Sequence, residues 1–305
     1  MRLVVDSNFI IDWLDLSFSY VNKNKKTLNS INVFPVPDCD TGNNISMTLE
    51  GTLSRLRGED SPFEDLDISK RVSVSCLISA RGNSGIILSE VISSLCSQLI
   101  EDKMISANTL HNAFLFASQR ARASISHPME GTMLTVSDAA WKSLSNKLNN
   151  DIDLESLRFD LYSSLLETQN QIPALSATQV VDSGAWGLVL IYDALIDTIT
   201  GIKTGGFKWE YPTSLKKSLL TDKEIASQPY QYEIMFNCMA DDNLIAMKKK
   251  ISHLSTDLIV SGGPDICAVH MHVYDLSTAI EMIYEFIKPY NLKIHVISFY
   301  NNMQV

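Results

Sequence analysis

The chain has 305 residues, 45% of them hydrophobic and 20% charged, the composition of a soluble globular protein too long for one ordinary small core. A formal net charge of -10 argues against a general nucleic-acid binder, which needs a basic stripe for phosphates. No uncharged apolar run approaches the ~20 residues that span a bilayer, and Asp6 and Asp12 spoil a signal peptide at the apolar start, so a cytoplasmic protein is expected.

Phe9 to Tyr20 carries apolar residues at helical spacing. It is followed by Pro35-Val36-Pro37-Asp38-Cys39-Asp40-Thr41-Gly42-Asn43-Asn44, which sets two carboxylates two residues apart behind two prolines. Ile86 to Ile100 predicts a helix with Ile87, Val91, Leu95 and Leu99 on one face. His111 to Ala123 and Asp153 to Thr168 behave similarly, and Leu188 to Ile199 closes the region as an apolar helix. Thr200 to Gln228, with Gly201, Gly205, Gly206 and Pro212, reads as a linker. The expected division is therefore a helical domain over 1–200, a linker over 201–228 and a second domain over 229–305.

The second domain alternates in type. Tyr232 to Cys238, Asp257 to Ser261, Cys267 to Val273 and Leu292 to Phe299 read as strands, with helices over Asn243 to Ser252 and Thr278 to Ile287. The order β-α-β-β-α-β predicts a small ferredoxin-like α+β domain, turned in the middle by Gly262-Gly263-Pro264. The lysines at 23, 25 and 26 and at 248–250 read as solvated faces. The five cysteines (Cys39, Cys76, Cys96, Cys238 and Cys267) include no CxxC pair, so they indicate neither a disulfide framework nor a zinc ribbon.

Four short loops precede helical segments in the first domain: the stretch around Asp38, Arg81-Gly82-Asn83-Ser84-Gly85, Glu130-Gly131-Thr132 and Asp182-Ser183-Gly184. Helix N-termini carry unpaired N–H groups and partial positive charge, which suits phosphate. Serine, aspartate and glycine also cap helices for structural reasons, and the local sequence leaves both readings open. Asp38 and Asp40 at ~4 Å repel by about 4 kcal/mol at an effective dielectric of ~20. A hard divalent ion such as Mg2+ relieves that repulsion, and two solvated acids in a surface turn is the competing reading. Pro35 and Pro37 restrict the backbone ahead of the pair, and Gly42 is expected to leave room for a phosphate. In the second domain His270 and His272 alternate on a strand, so both imidazoles share a face. No P-loop, G-x-S-x-G elbow or H-E-x-x-H helix occurs.

Asn32-Val33-Phe34-Pro35-Val36-Pro37-Asp38-Cys39-Asp40-Thr41-Gly42-Asn43-Asn44 resembles the N-V-F-P-V-P-D-G-D-T-G-x-N signature of the fatty acid kinase A-type proteins. Their ATP-binding domain is related to the L-subunit of dihydroxyacetone kinase. The resemblance continues in Ala80–Gly85, Glu130–Thr135 and Val180–Gly184, and in the second domain in Val269-His270-Met271-His272 and Asp275. It implies an all-α barrel of antiparallel helices whose loop end binds Mg-ATP, followed by the α+β domain. Asp38 and Asp40 would be Mg2+ ligands, with Asn32 a third candidate. Asn44 would contact the nucleotide, Ser84 and Gly85 would supply hydroxyl and N–H donors, Thr132 would line the same end, and Asp182 with Gly184 would close the pocket. Arg81 would stabilise phosphate charge or make a structural ion pair.

The implied reaction is phosphoryl transfer to the carboxylate of a fatty acid presented by an acyl-binding partner protein, giving an acyl phosphate. A nucleotide-binding regulatory or scaffold protein, or a kinase for a small hydroxy compound such as dihydroxyacetone, are the alternatives. Family members place a cysteine on the first strand of the second domain; the corresponding position here is Glu233, so Glu233, His270 and His272 would form a His2Glu set suited to Zn2+. A histidine pair bonded to Glu233 or Asp275 without metal is the other reading. Homodimerisation through this domain is also implied.

Two departures stand out. The family glycine between the aspartates is Cys39 here, at a cost of roughly 1–2 kcal/mol if the position needs positive φ. No histidine lies near Cys39 in sequence, which argues against a cysteine nucleophile. The family's longer members continue into a C-terminal domain, whereas this sequence stops at Gln304-Val305.

Overall fold

The structure is a computed structural model that describes residues 4–58, 67–145, 152–208, 231–255, 258–263 and 266–297. Two compact units emerge: Met1–Ala123 with Pro128–Tyr211, and Ser124–His127 with Pro212–Val305. Of the expected linker, 209–228 lies outside the described residues.

The first unit is helical: α1 (Ser7–Ser30), α2 (Thr41–Arg57), α3 (Ile68–Ser79), α4 (Gly82–Asp102), α5 (Ala107–Ser124), α6 (Met133–Leu144), α7 (Leu154–Gln171), α8 (Pro173–Thr178) and α9 (Ser183–Thr200). Asp6 caps α1 by accepting from Phe9 N at 2.7 Å, and Phe9, Ile10, Trp13, Leu14, Val21 and Leu28 form its buried stripe. That stripe packs on α9 and α2, and Trp13 Nε1 donates to Ile191 O at 3.0 Å. α9 is buried on every side from Ser183 to Asp197 and contacts α1, α2, α6 and α7, the behaviour expected of a helix apolar all round. The expected helix at Leu188–Ile199 starts five residues earlier because Asp182 caps it, accepting from Ala185 N at 2.7 Å.

Far along α9 from that cap, Asp193 and Asp197 share one guanidinium: Arg158 donates to Asp193 Oδ1 at 2.9 Å and to Asp197 Oδ1 at 2.8 Å. Thr204 N and Phe207 N also donate to these acids, so the chain leaving α9 is tied to the helical unit through residue 207.

In the second unit the order is β1 (Gln231–Cys238), α10 (Asp242–Ile251), β2 (Ile259–Gly262), β3 (Cys267–Val273), α11 (Leu276–Phe286) and β4 (Tyr290–Ile297). The sheet is antiparallel throughout, in the order β2-β3-β1-β4. Asp257, Pro264 and Phe299, assigned above to strands and a turn, lie outside the described residues. Ile234, Phe236, Val269, Met271 and Val273 point to one face and form a core with Leu244, Met247, Ala279 and Ile283 of the two helices. The alternate residues of the same strands carry the polar set on the opposite face.

Candidate functional site

The four loops singled out above meet at one end of the helical unit, through four contacts. Asn44, in the first turn of α2, lies on Gly82 at the start of α4: a Cβ on Gly82 would sit 2.3 Å from Asn44 Nδ2. Asn43 N donates to Asn29 Oδ1 at 3.0 Å, joining α2 to the last turn of α1. Ser183 Oγ donates to Leu28 O at 2.7 Å, joining α9 to the same turn. A Cβ on Gly184 would meet Met133 Cγ at 3.0 Å, which joins α9 to α6. The N-termini of α2, α4, α6 and α9 are thus neighbours, each with the partial positive charge of a helix start.

The acidic loop belongs to this end. Asn32 is buried and holds it: its Oδ1 accepts from Asp40 N (3.3 Å), Thr41 N (2.9 Å) and Thr41 Oγ1 (2.6 Å), while its Nδ2 donates to Val36 O (3.0 Å). The expected part for Asn32 as a metal ligand is corrected by these bonds, because its one acceptor oxygen already takes three donors. Asp40 is the N-cap residue of α2 by position, yet its carboxylate makes no cap hydrogen bond, since the backbone N–H groups are served by Asn32 and Asn29. Asp38 is exposed and Asp40 half-buried.

Cys39 sits between them at φ +58°, the left-handed region that glycine adopts freely. Although Cys39 is exposed, partial desolvation in the loop pushes its thiol up, and the Asp38 and Asp40 carboxylates push it the same way. A thiolate is therefore disfavoured there.

Around Arg81, the N-cap residue of α4, Thr48 acts as a bridge absent from the expected set. Its Oγ1 donates to Asn44 O at 2.7 Å and accepts Arg81 N at 3.1 Å. Thr48 follows Asn44 by four residues on α2, a spacing readable from the sequence. Gly85 needs correcting: its N–H donates to Arg81 O at 2.9 Å within the helix, and a Cβ there would lie 2.5 Å from Thr48 Oγ1. Its glycine serves close packing of α4 on α2. Gly42 is corrected in the same way, because a Cβ would meet Lys25 O of α1 at 2.4 Å. Ser84, half-buried in the first turn of α4, remains at the loop end.

Thr132 is the N-cap of α6; its Oγ1 donates to Met129 O at 2.9 Å and accepts Leu134 N at 3.3 Å. The loop before it is held by a chain that sequence reading missed. Gly131 N donates to Thr135 Oγ1 (2.7 Å), Thr135 Oγ1 donates to Glu130 Oε2 (2.8 Å), and Arg122 pairs with Glu130 Oε1 (2.8 Å). Asp182 is fully buried under the same end, and burial pushes its carboxyl up to about 7 against the opposing N–H groups of Ala185 and Gly184.

On the sheet, Glu233 of β1 stands directly opposite His272 of β3 and His295 of β4. Glu233 Oε1 bonds His270 Nε2 and Glu233 Oε2 bonds His295 Nδ1, both at 2.8 Å. Burial alone would raise Glu233; the His270 and His295 hydrogen bonds overcome it and bring the carboxyl down to about 2. His270 and His272 are buried, and one ligand atom from each of Glu233, His270 and His272 lies within 4.8 Å of the others. Asp275, the alternative partner, instead caps α11 by accepting from Thr278 N and Oγ1. His295 was not foreseen, although its register opposite Glu233 follows from the strand order.

Among the described residues, no helix is long and apolar enough to cross a membrane. The chain is 27% identical over 326 residues to an uncharacterized protein of Mycoplasma genitalium, covering 96% of this chain and 58% of that one. A homologous uncharacterized protein of Mycoplasma pneumoniae is 27% identical over 339 residues, with 97% and 58% covered. One from Staphylococcus haemolyticus is 29% identical over 238 residues, with 76% and 41% covered. This chain therefore spans about half the length of the curated relatives it matches. Among solved structures, the dihydroxyacetone kinase from C. freundii in complex with AMP-PNP and Mg2+ superposes with a TM-score of 0.44 at 17% identity, over 65% of this chain and 35% of that one. The model of the DAK2 domain matches residues 35–197, which hold all four loops of this end, and the chain belongs to the DAK2 domain family.

Proposed function

We propose that this chain transfers the γ-phosphoryl group of ATP to a carboxylate, giving an acyl phosphate and ADP, with a fatty acid presented by an acyl-binding partner protein as acceptor. The observation that carries the reading is the meeting of four helix N-termini beside the Asp38–Asp40 pair. The partial positive charge of helix starts favours polyphosphate, and two hard carboxylate oxygens in one turn suit Mg2+. Asp38 and Asp40 would hold that ion. Bound there, Mg2+ would neutralise phosphate charge.

The chain's own residues do the positioning. Asn44, Ser84 and Thr132 line the phosphate end, Asp182 and Gly184 shape its floor, and Arg81 offers a guanidinium to charge that develops on the transferred group. Phosphoryl transfer of this kind depends on positioning and charge, so no nucleophilic side chain is required. A carboxylate oxygen attacks the γ-phosphorus, and the bond to the β-bridging oxygen breaks as ADP leaves.

The test is trapping with hydroxylamine. With ATP, Mg2+, a carboxylate and its carrier protein, a hydroxamate should accumulate and ADP should form in step with it. Nucleotide binding without hydroxamate would overturn the acyl-transfer reading, and turnover of dihydroxyacetone in its place would redirect it.

The second unit fits a structural Zn2+ held by Glu233, His270 and His272, from the proximity of their ligand atoms and the chemistry of the set. Metal analysis of protein purified without chelator should find about one zinc per chain, lost in His270→Ala. Homodimerisation is proposed through β4, an edge strand among the described residues with exposed Ile294 and Val296. A monomeric mass at micromolar concentration would remove it. A cytoplasmic setting is proposed with them.

A further inference from the structure

The carboxylate of Glu233 is divided between two strands. β1 lies between β3 and β4, and Glu233 stands opposite His272 on one side and His295 on the other. One oxygen, Oε1, bonds His270 Nε2, while the other, Oε2, bonds His295 Nδ1, each at 2.8 Å. Among the described residues, the ligand atoms that converge within 4.8 Å come from Glu233, His270 and His272, and His295 stands outside that set. Burial divides the histidines in the same way. His270 and His272 are buried with their rings edge to face at 4.8 Å, whereas the His295 side chain is 62% exposed. An ionised carboxylate only accepts hydrogen bonds, so Nδ1 of His295 carries the proton and donates it to Oε2.

Glutamate is a flexible ligand with two equivalent oxygens. Left unheld, it swings away from an ion or turns both oxygens towards it, and the freedom it gives up on binding weakens the complex. A hydrogen bond to the outer oxygen removes both alternatives in advance. We infer that His295 is a positioning residue for the metal set: its Nδ1–H holds Glu233 Oε2 towards β4 and so presents Oε1 as a single-oxygen ligand beside His270 and His272. Ligation through Oε1 gives up the hydrogen bond to His270 but keeps the one to His295, which uses the other oxygen. Partners that hydrogen-bond a metal ligand commonly change metal affinity by roughly 10–100-fold. The inference rests on the zinc reading for the identity of the ion, and it is tested by binding and spectroscopy without turnover.

The experiment measures zinc affinity of the metal-stripped full chain by competition with a chromogenic chelator, for the unaltered protein, His295→Leu and His295→Asn. His295→Leu should weaken zinc by about tenfold or more while far-UV circular dichroism stays unchanged. His295→Asn sets an amide N–H where the Nδ1–H stands and should recover most of that loss. Co2+ bound to His295→Leu should keep the absorption bands it has in the unaltered chain, because no ligand has been removed. Equal zinc affinity in His295→Leu, no recovery in His295→Asn, or altered Co2+ bands would each overturn the positioning role, the last by making His295 a ligand. Failure of the unaltered chain to bind zinc would instead overturn the zinc reading, and this inference with it.

Discussion

Asn44 and Gly82 pack so closely that the space a Cβ would take on Gly82 is held by the Asn44 carboxamide, 2.3 Å away. Gly82 also has φ +57°, so two independent constraints require glycine where α2 meets α4. Gly82→Ala should cost at least about 2 kcal/mol, from left-handed backbone strain and from overpacking. In an Asn44→Ala background only the backbone part should remain, roughly 1–2 kcal/mol. A double-mutant cycle in urea separates the two, and equal penalties in both backgrounds would show that the carboxamide contact carries nothing.

Cys39 pays a backbone cost at the centre of the acidic loop. Cys39→Gly removes roughly 1–2 kcal/mol of left-handed strain and loses about 0.5–1 kcal/mol to the freer unfolded chain, leaving a net gain of up to about 1.5 kcal/mol. Cys39→Val should destabilise, since a β-branched side chain tolerates that region least. Denaturation midpoints of the three proteins give the order directly.

Asn32 distinguishes a brace from a ligand. If it holds the loop, Asn32→Ala should lower stability by about 1–3 kcal/mol in the absence of any divalent ion, because it strands donors that it now accepts. A variant with unchanged stability in chelator and weakened Mg2+ binding would return Asn32 to the ligand set.

The buried Arg158–Asp193–Asp197 cluster makes stability depend on pH. Burial raises Asp193 from 3.8 to about 6; Arg158, Tyr162 and Phe207 N oppose the shift, and Asp197 adds to it. An acid whose folded pKa lies above its unfolded value keeps its proton longer when folded. Its contribution is complete below about pH 4, declines as pH rises, and is lost above about pH 6. The stability of the unaltered chain minus that of Asp193→Asn should therefore fall across this window and level off beyond it. A difference that is flat or rises with pH would contradict the shift.

The loops of the candidate site were legible in the sequence because helix caps are local signals. Asp40, Thr132 and Asp182 stand at helix starts, as their residue types suggest. The purpose of two glycines was not legible, because a glycine in sequence does not say which neighbour occupies its missing side chain. For Gly42 the neighbour is the backbone of α1, and for Gly85 it is Thr48. The joining of α9 to α1 through Ser183 and Leu28 spans 155 residues and is a product of packing alone. The positive φ of Cys39 was hidden by the residue itself, which does not advertise a left-handed position as glycine would. In the second unit, alternation of apolar and polar residues revealed the element order and the shared face of His270 and His272. His295 joined that set only once the pairing of β4 with β1 was known.

The most direct measurement is calorimetric titration of ATP into the full chain, with Mg2+ and with excess chelator, for the unaltered protein and for Asp38→Asn and Asp40→Asn. Binding should require Mg2+, and each substitution should weaken it by at least about tenfold, or ~1.4 kcal/mol, while the fold by circular dichroism stays intact. Mg-dependent ATP affinity unchanged in both variants would contradict the assignment of these aspartates as the metal bracket of the phosphate end.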